Sequence, residues 1–329
     1  MSQTSKILQP DVFVMVPSYN HAPFVERCLR SIIGQILPPK KLLVIDDGSK
    51  DNSAEVIERV LRDCHFDAEL IVRENRGLCR TLNQGLELSS GEYFAYIGSD
   101  DFWMPEFLGT RSEMLERRPN AVLGYGHAYF VDEKGVAYDS TAEYTDTWGN
   151  YPDGDPREML LKGIAPVSST LFYRRSALQQ TSWNVESRLE DYELYLRMMP
   201  LGEFAFDPAI LSAWRQHSYN TSKDTILMLK EVLAAQRRNF DVLGVSEVEF
   251  ARLQLETRFR YARELLQHGD KMESAKLAVT SWRGARSFVD LARFTFRMAI
   301  PMAAVKMYRR RRHGRYAESA KRFDVPADN

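Results

Sequence analysis

The run YFAYIGSDDFWMP, Tyr93 to Pro105, climbs through aromatic and β-branched residues and stops on two adjacent carboxylates, Asp100 and Asp101. Like charges side by side at the end of an apolar run repel one another unless something positive sits against them. A hard divalent cation does this naturally, because Mg²⁺ or Mn²⁺ takes carboxylate oxygens and keeps coordination positions for phosphate. The other use of such aspartates is local, as a turn closed by an N-cap. Two further acidic pairs stand out. Asp46 and Asp47 follow KLLVI and precede Gly48, which permits a tight exit from a strand. Glu190 and Asp191 precede Tyr192, Leu194, Tyr195, Leu196 and Met198, an apolar helical pattern whose first turn such a pair can cap.

These residues need elements to position them, and residues 12–100 alternate between two periods. VFVMVPS, KLLVID, AELIVRE and EYFAYIG read as buried strands. PFVERCLRSIIGQ, DNSAEVIERVLRDC and CRTLNQGLELS read as helices, the first with Phe24, Cys28, Leu29, Ile32 and Ile33 at helical spacing and the second with Asp51, Asn52 and Ser53 as candidate N-caps. Strand and helix in alternation mean βαβ units and a mostly parallel sheet. Ligands bind beyond the carboxyl ends of such strands. Ser18, Tyr19 and Asn20, then Asp46 and Asp47, then Asn75 and Arg76, then Ser99, Asp100 and Asp101 would all gather at that rim. A strand ends on charges where its end is a site.

Beyond Pro105 the pattern is mixed. Strands are expected at AVLGYGHAYFVD and SSTLFYRR, a Gly-, Asp- and Pro-rich loop over 145–157, and a helix at EDYELYLRMM. From Thr225 the chain reads as helical, with breaks at Gly244, Gly269 and Pro301. The expected boundary lies near Ser222, giving an α/β domain over 1–222 and a helical region with a basic tail over 223–329.

The 329 residues carry a formal net charge of −1, so the chain as a whole is not a polyanion binder. Hydrophobic residues at 44% and charged residues at 27% suit a packed core rather than disorder. The three cysteines, Cys28, Cys64 and Cys79, lack metal-site spacing, and an odd count suits a reducing compartment. The start, MSQTSKILQPD, has no apolar core of a signal peptide, and no stretch reaches the roughly 18 apolar residues of a membrane span. The expected location is the cytoplasm, or the inner face of the membrane.

VPSYN, IDDGSKDNS, NRGLCRTLNQG, GEYFAYIGSDD and LEDYELYLRM occur in this order. Together they resemble the family 2 glycosyltransferases, over about residues 11–222. The resemblance implies a GT-A fold, here a mostly parallel mixed α/β sheet flanked by helices with a helical C-terminal extension. It implies a metal-dependent inverting hexosyltransferase that moves a sugar from a nucleotide-diphosphate donor to a glycan or lipid-linked hydroxyl acceptor, of the kind that builds bacterial envelope polysaccharide.

The resemblance also implies roles. Pro17, Tyr19 and Asn20 lie where the family binds the nucleotide, and Tyr19 offers a flat face and a hydroxyl to the base. Asp47 matches the residue that accepts from a base imide N–H, which favours a uridine or deoxythymidine donor, while Asp46 holds the loop. Ser99 falls on the ribose contact. Asp100 falls on the metal-binding carboxylate, with Asp101 either supporting it without touching the metal or serving as an alternative ligand, and the cation is Mn²⁺ or Mg²⁺. His217, in WRQHSYNTS, is a candidate further ligand or a diphosphate contact. The aspartate of Glu190–Asp191 is the general base, and the pair is the catalytic assignment. Two departures matter. Leu82 stands where many members have arginine, leaving Asn83 matched and Arg76 or Arg80 to supply charge to the diphosphate. Gly98 stands where many members have a further aspartate.

Lys306 to Arg322 holds eight Lys or Arg against Glu318. A basic cluster beside an apolar stretch can lie on an anionic membrane surface; the alternative is a solvated helix end packed on the domain. Nucleic acid is not expected, since no recognition module accompanies the charge. A sugar-nucleotide pyrophosphorylase would need a glycine-rich loop where VPSYNHAPF stands, and an NAD-dependent oxidoreductase would need Gly-x-Gly-x-x-Gly there. A non-catalytic GT-A-fold binding module would have no use for Asp47, Asp100 and Asp191 together.

Overall fold

The structure is a computed structural model. It describes residues 11–301 apart from Asp146 and Tyr219, together with Ala304 and Met307. In chain order the first half runs β1 (Val12–Ser18), α1 (Val25–Ile33), β2 (Lys41–Asp46), α2 (Ser53–Leu61), β3 (Asp67–Val72), α3 (Leu78–Leu88), β4 (Tyr93–Tyr96), β5 (Phe102–Trp103), α4 (Phe107–Glu116), β6 (Ala121–Val131) and β7 (Ala137–Ser140). It continues through α5 (Arg157–Leu161), β8 (Phe172–Arg174), α6 (Arg175–Thr181), α7 (Tyr192–Met198) and β9 (Glu203–Arg215). Five helices close the described chain: α8 (Thr225–Arg238), α9 (Phe240–Leu243), α10 (Glu247–His268), α11 (Lys271–Ser281) and α12 (Phe288–Ala299).

One mixed sheet organises these elements, in the order β3-β2-β1-β4-β8-β6-β9-β5, with β7 paired to β6. The first four strands are parallel, as the alternation of periods requires. β8 then enters antiparallel between β4 and β6, and β9 runs parallel to β6. Every residue of β1 is buried, because helices cover both faces. Its side chains alternate accordingly. Phe13 and Met15 join a core with Leu43, Ile45, Leu82 and Tyr125, while Val12, Val14 and Val16 join one with Cys28, Leu29, Ile32 and Ile57.

The strand β9 was not visible in the sequence. Its interior carries Asp207 and Pro208, which argue against a central strand. The structure accommodates them with register shifts against β6 around Gly126 and His127. The buried guanidinium of Arg111 also takes up Asp207 at 2.7 Å. SSTLFYRR contributes only Phe172–Arg174 to the sheet, preceded by a short helical turn over Ser168–Thr170.

The C-terminal helices break where expected. Gly244 and Gly269 adopt positive φ at the ends of α9 and α10, and α12 stops before Pro301. Ser246 and Glu249 form a capping box at the start of α10. These helices share the core of the sheet: Leu229, Val232, Phe250 and Tyr261 belong to the same buried cluster as Phe13 and Tyr125. The basic run from Arg309 onward, and Lys306, lie outside the described residues.

Candidate active site

The carboxyl ends of β1, β2 and β4 open on a cleft of ≈ 2080 Å³. Parallel register aligns them, with Ser18 beside Asp46 and Met15 beside Tyr96. Asn20 adopts φ 54°, a left-handed turn that asparagine tolerates, and the chain turns back so that His21 faces the same cleft. The Asn20 side chain accepts from Lys50 N at 2.7 Å, and its own N–H donates to Ser49 Oγ at 2.8 Å. Asn20 therefore ties the end of β1 to the loop after β2.

That loop is held by Asp46, whose carboxylate accepts from Ser49 N at 2.8 Å and Ser49 Oγ at 2.6 Å. Gly48, at φ 79°, has no room for a Cβ, which would sit 2.8 Å from Asn75 N. Asp47 crosses to that neighbouring segment. It accepts from Arg76 N at 2.9 Å and Gly77 N at 2.7 Å and forms an ion pair with Arg73. Asp47 lines the cleft but is already committed to three protein donors, so its remaining lone pairs are what a base could use.

Pro17, Tyr19, Asn20, Ser99, Asp100, Asp101, Glu190, Asp191 and His217 all line the cleft. Tyr19 is 42% exposed, leaving its ring free to stack. Ser18 Oγ is buried at the cleft wall with no hydrogen-bond partner in the protein. Two expected contacts are corrected. Asn83 does not reach the cleft, because its amide exchanges two 2.8 Å hydrogen bonds with the main chain of Trp183. The Arg76 side chain is exposed outside the cleft lining, and its contribution is the main-chain N–H given to Asp47.

The set of candidate cation ligands also differs from the expected one. Asp100 Oδ2 lies 2.9 Å from His217 Nε2, and Asp100 Oδ1 lies 3.9 Å from His21 Nδ1. One ligand atom from each of the three falls within 4.8 Å of the others. His21 is the member that sequence reasoning missed. Its signal was its position, immediately after the rim residues Tyr19 and Asn20. Asp101 does not join this group. Its Oδ1 accepts from Arg215 N at 2.8 Å, fixing the end of β9 instead. Burial and the charge of Asp100 push the Asp101 carboxyl far above the usual range. For Asp100, burial acts in the same direction, but the hydrogen bond from His217 and the nearby imidazoles bring it below the usual range. Burial lowers His21, favouring the neutral imidazole that binds metals.

Two imidazole nitrogens and one carboxylate oxygen are a suitable donor set for Mn²⁺, and their imidazoles make it less suited to Mg²⁺. Gly98 is part of the fit. A Cβ there would stand 2.7 Å from Asp100 Oδ1, so the position where other members carry aspartate is here cleared for Asp100.

A second acidic pair in the cleft opens α7. Asp191 caps that helix, accepting from Tyr192 N at 2.6 Å. Burial raises its carboxyl, and the capping N–H holds the rise back. Burial and the charge of Asp191 push Glu190 up to about 8. Burial and mutual repulsion thus raise both adjacent carboxyls, Glu190 the further, and the pair titrates as a unit. A wall of aromatic rings also lines the cleft. Trp148 and Trp214 lie 6.0 Å apart, and Phe130 touches both at 5.8 and 5.4 Å. Both indoles are partly exposed.

A family model described as Glycosyl transferase family 2 matches residues 13–181. An uncharacterized glycosyltransferase of Rickettsia conorii is 27% identical over 222 residues, covering 64% of this chain and 35% of that protein. The chain spans about a third to a half of the length of the first curated relatives it matches. Among solved structures, the mannosyltransferase PcManGT from Pyrobaculum calidifontis, in complex with GDP-Man and Mn²⁺, superposes with a TM-score of 0.60 at 16% identity, covering 88% of this chain and 85% of that one. S. aureus TarS 1-349 in complex with UDP-GlcNAc gives 0.54 at 13% identity, over 83% and 89%. These likenesses are of fold, and the fold is GT-A.

Proposed function

We propose, for a chain that belongs to glycosyl transferase family 2, that it moves a sugar from a nucleoside-diphosphate donor to a hydroxyl of a saccharide acceptor, with inversion at the anomeric carbon. The observation that carries this reading is the meeting, in one cleft, of the His21–Asp100–His217 cluster with the Glu190–Asp191 pair.

The donor side is read from β1, β2 and β4. Tyr19 stacks on the base, Ser18 Oγ offers a hydroxyl to the nucleoside, Ser99 Oγ is held by His21 Nδ1 at 2.8 Å, and the free lone pairs of Asp47 accept from a base N–H. That acceptor favours uridine or deoxythymidine. The solved neighbours hold both UDP-GlcNAc and GDP-Man, so their fold alone does not select a base. His21, Asp100 and His217 would hold a divalent cation. Bound there, such an ion supplies positive charge against the leaving diphosphate.

The acceptor side is read from α7 and the aromatic wall. Trp148 and Trp214 present flat apolar faces suited to the C–H face of a sugar ring. Asp191 takes the proton of the acceptor hydroxyl. The acceptor oxygen bonds to the anomeric carbon from the face opposite the diphosphate. The carbon–oxygen bond to the diphosphate breaks, and its electron pair leaves with the nucleoside diphosphate. Glu190, protonated beside Asp191, keeps a second negative charge out of the cleft floor while Asp191 does this work.

The full-length chain incubated with UDP-, dTDP- and GDP-sugars, with Mn²⁺ or with chelator, tests the proposal by release of nucleoside diphosphate. Mn²⁺-dependent release from a pyrimidine donor is expected. Binding of donor without any turnover, across the panel and with saccharide acceptors present, would overturn it in favour of a binding module.

A further inference from the structure

The helix α12 is apolar on two faces. Its inner face, Leu291, Phe294 and Met298, packs with Phe259, Ala262 and Leu266 of α10. Its outer face repeats at helical spacing through Phe288, Ala292, Phe296 and Ala299, with Val289 alongside, and all of these are exposed. Phe288 is 84% exposed, Phe296 70% and Val289 55%. Two phenylalanines and a valine along one stripe are too costly to leave in water for a helix that already has a core to pack on. Arg293 and Arg297 border that stripe, both exposed. Among the described residues the ion pair of α12 is made by Asp290 with Arg263, and none is made by Arg293 or Arg297.

We propose that this outer face of α12 docks the protein on an anionic lipid bilayer, with Phe288, Val289 and Phe296 entering the boundary between headgroups and acyl chains and Arg293 and Arg297 meeting lipid phosphates. An apolar stripe edged by cations is the pattern of a helix lying in such an interface. No helix of the described residues is long and apolar enough to cross a membrane, so this is attachment to a surface rather than insertion through it. The sequence after Met307, YRRRRHGRYAESAKRFDVPADN, adds positive charge close to α12 along the chain. A phosphate-bearing surface satisfies both the apolar stripe and the exposed arginines beside it. Arg297 also lines the active-site cleft, which places the docked surface at the rim of that cleft. The docking does not depend on the transfer chemistry.

Flotation of the full-length protein with phosphatidylglycerol-rich vesicles, and with phosphatidylcholine vesicles, tests the proposal. The wild type is expected to float with the anionic vesicles. A Phe288→Ser/Phe296→Ser variant is expected to bind at least about tenfold more weakly at both low and high salt, because the apolar contribution is not screened. Arg293→Glu/Arg297→Glu should lose binding chiefly at low salt. Replacing Arg309 to Arg312 with glutamine separates the tail from the helix and should leave most of the high-salt binding in place. Unaltered flotation of the double serine variant would overturn the proposal. So would a wild-type protein that ignores vesicles but dimerises through Phe288 and Phe296 by light scattering. Both serine positions are on the surface, and unchanged thermal melting confirms that loss of binding is not loss of fold.

Discussion

Asp100 and His217, 117 positions apart, meet at 2.9 Å because the two-residue strand β5 pairs antiparallel with β9. Phe102 lies opposite Ala213, so the residues just before β5 face those just after β9. The Asp101–Arg215 hydrogen bond then pins this junction, and Phe24 stacks on His217 at 4.9 Å. A short edge strand therefore sets the geometry of the proposed cation site.

If that geometry is right, Asp100→Ala should abolish Mn²⁺-dependent donor binding, and His217→Ala should weaken it by at least about tenfold. Both should fold normally, since neither side chain is needed for the apolar core. Calorimetry with UDP in the presence of Mn²⁺ or chelator measures this. Equal nucleotide affinity in wild type and Asp100→Ala would remove the cation from this site.

Gly98 offers a sharper test, because it touches neither nucleotide nor acceptor in the proposed scheme. Gly98→Ala puts a Cβ 2.7 Å from the present place of Asp100 Oδ1 and must displace the carboxylate. Mn²⁺ affinity should fall while the melting temperature barely moves. Retained affinity would mean that the Asp100 position seen here is not the binding one.

Tyr19→Ala should weaken nucleotide binding by about 1–3 kcal/mol, the usual worth of stacking a base on an aromatic ring. UDP or dTDP should bind more tightly than CDP or ADP, because Asp47 accepts from the ring N–H of uracil or thymine, which cytosine and adenine lack. Guanosine diphosphate binding more tightly than UDP and dTDP would reverse the donor assignment.

The Glu190 carboxyl supplies a pH test. Its folded value is raised from the usual 4.5 to about 8 by burial and by Asp191. The folded protein therefore keeps a proton that the unfolded chain has released. Stability must fall as pH rises from about 4.5 to about 8, where the unfolded state binds fewer protons. Glu190→Gln removes this slope, so thermal melts should show the variant gaining on wild type as pH rises through that window. A constant gap across the window would mean that Glu190 is not raised in this way.

Much of this was legible in the sequence. Runs such as VFVMVPS and KLLVID read as strands buried on both faces, and their alternation with helices implied the parallel half of the sheet and the rim where Tyr19, Asp47 and Asp100 gather. Side-chain bonding across loops was not legible. Asn83 matched a family position, yet it is spent on the main chain of Trp183, 100 residues on. For Asp101 the sequence allowed a supporting place behind Asp100 or that of an alternative ligand, and the pairing of β5 with β9 gives it the main-chain N–H of Arg215 as its partner. His21 stood next to the rim residues Tyr19 and Asn20, but its direction depends on the left-handed turn at Asn20, which spacing does not reveal.

The most direct test of the account compares Asp191→Asn with Glu190→Gln on one donor and one acceptor. Asparagine keeps the size of Asp191 but cannot take the acceptor proton, so transfer should drop by about 10²–10⁴-fold with donor affinity nearly unchanged. Glutamine copies the protonated Glu190 and should keep most of the rate at neutral pH. A dead Glu190→Gln beside an Asp191→Asn that retains most activity would contradict the assignment of the base.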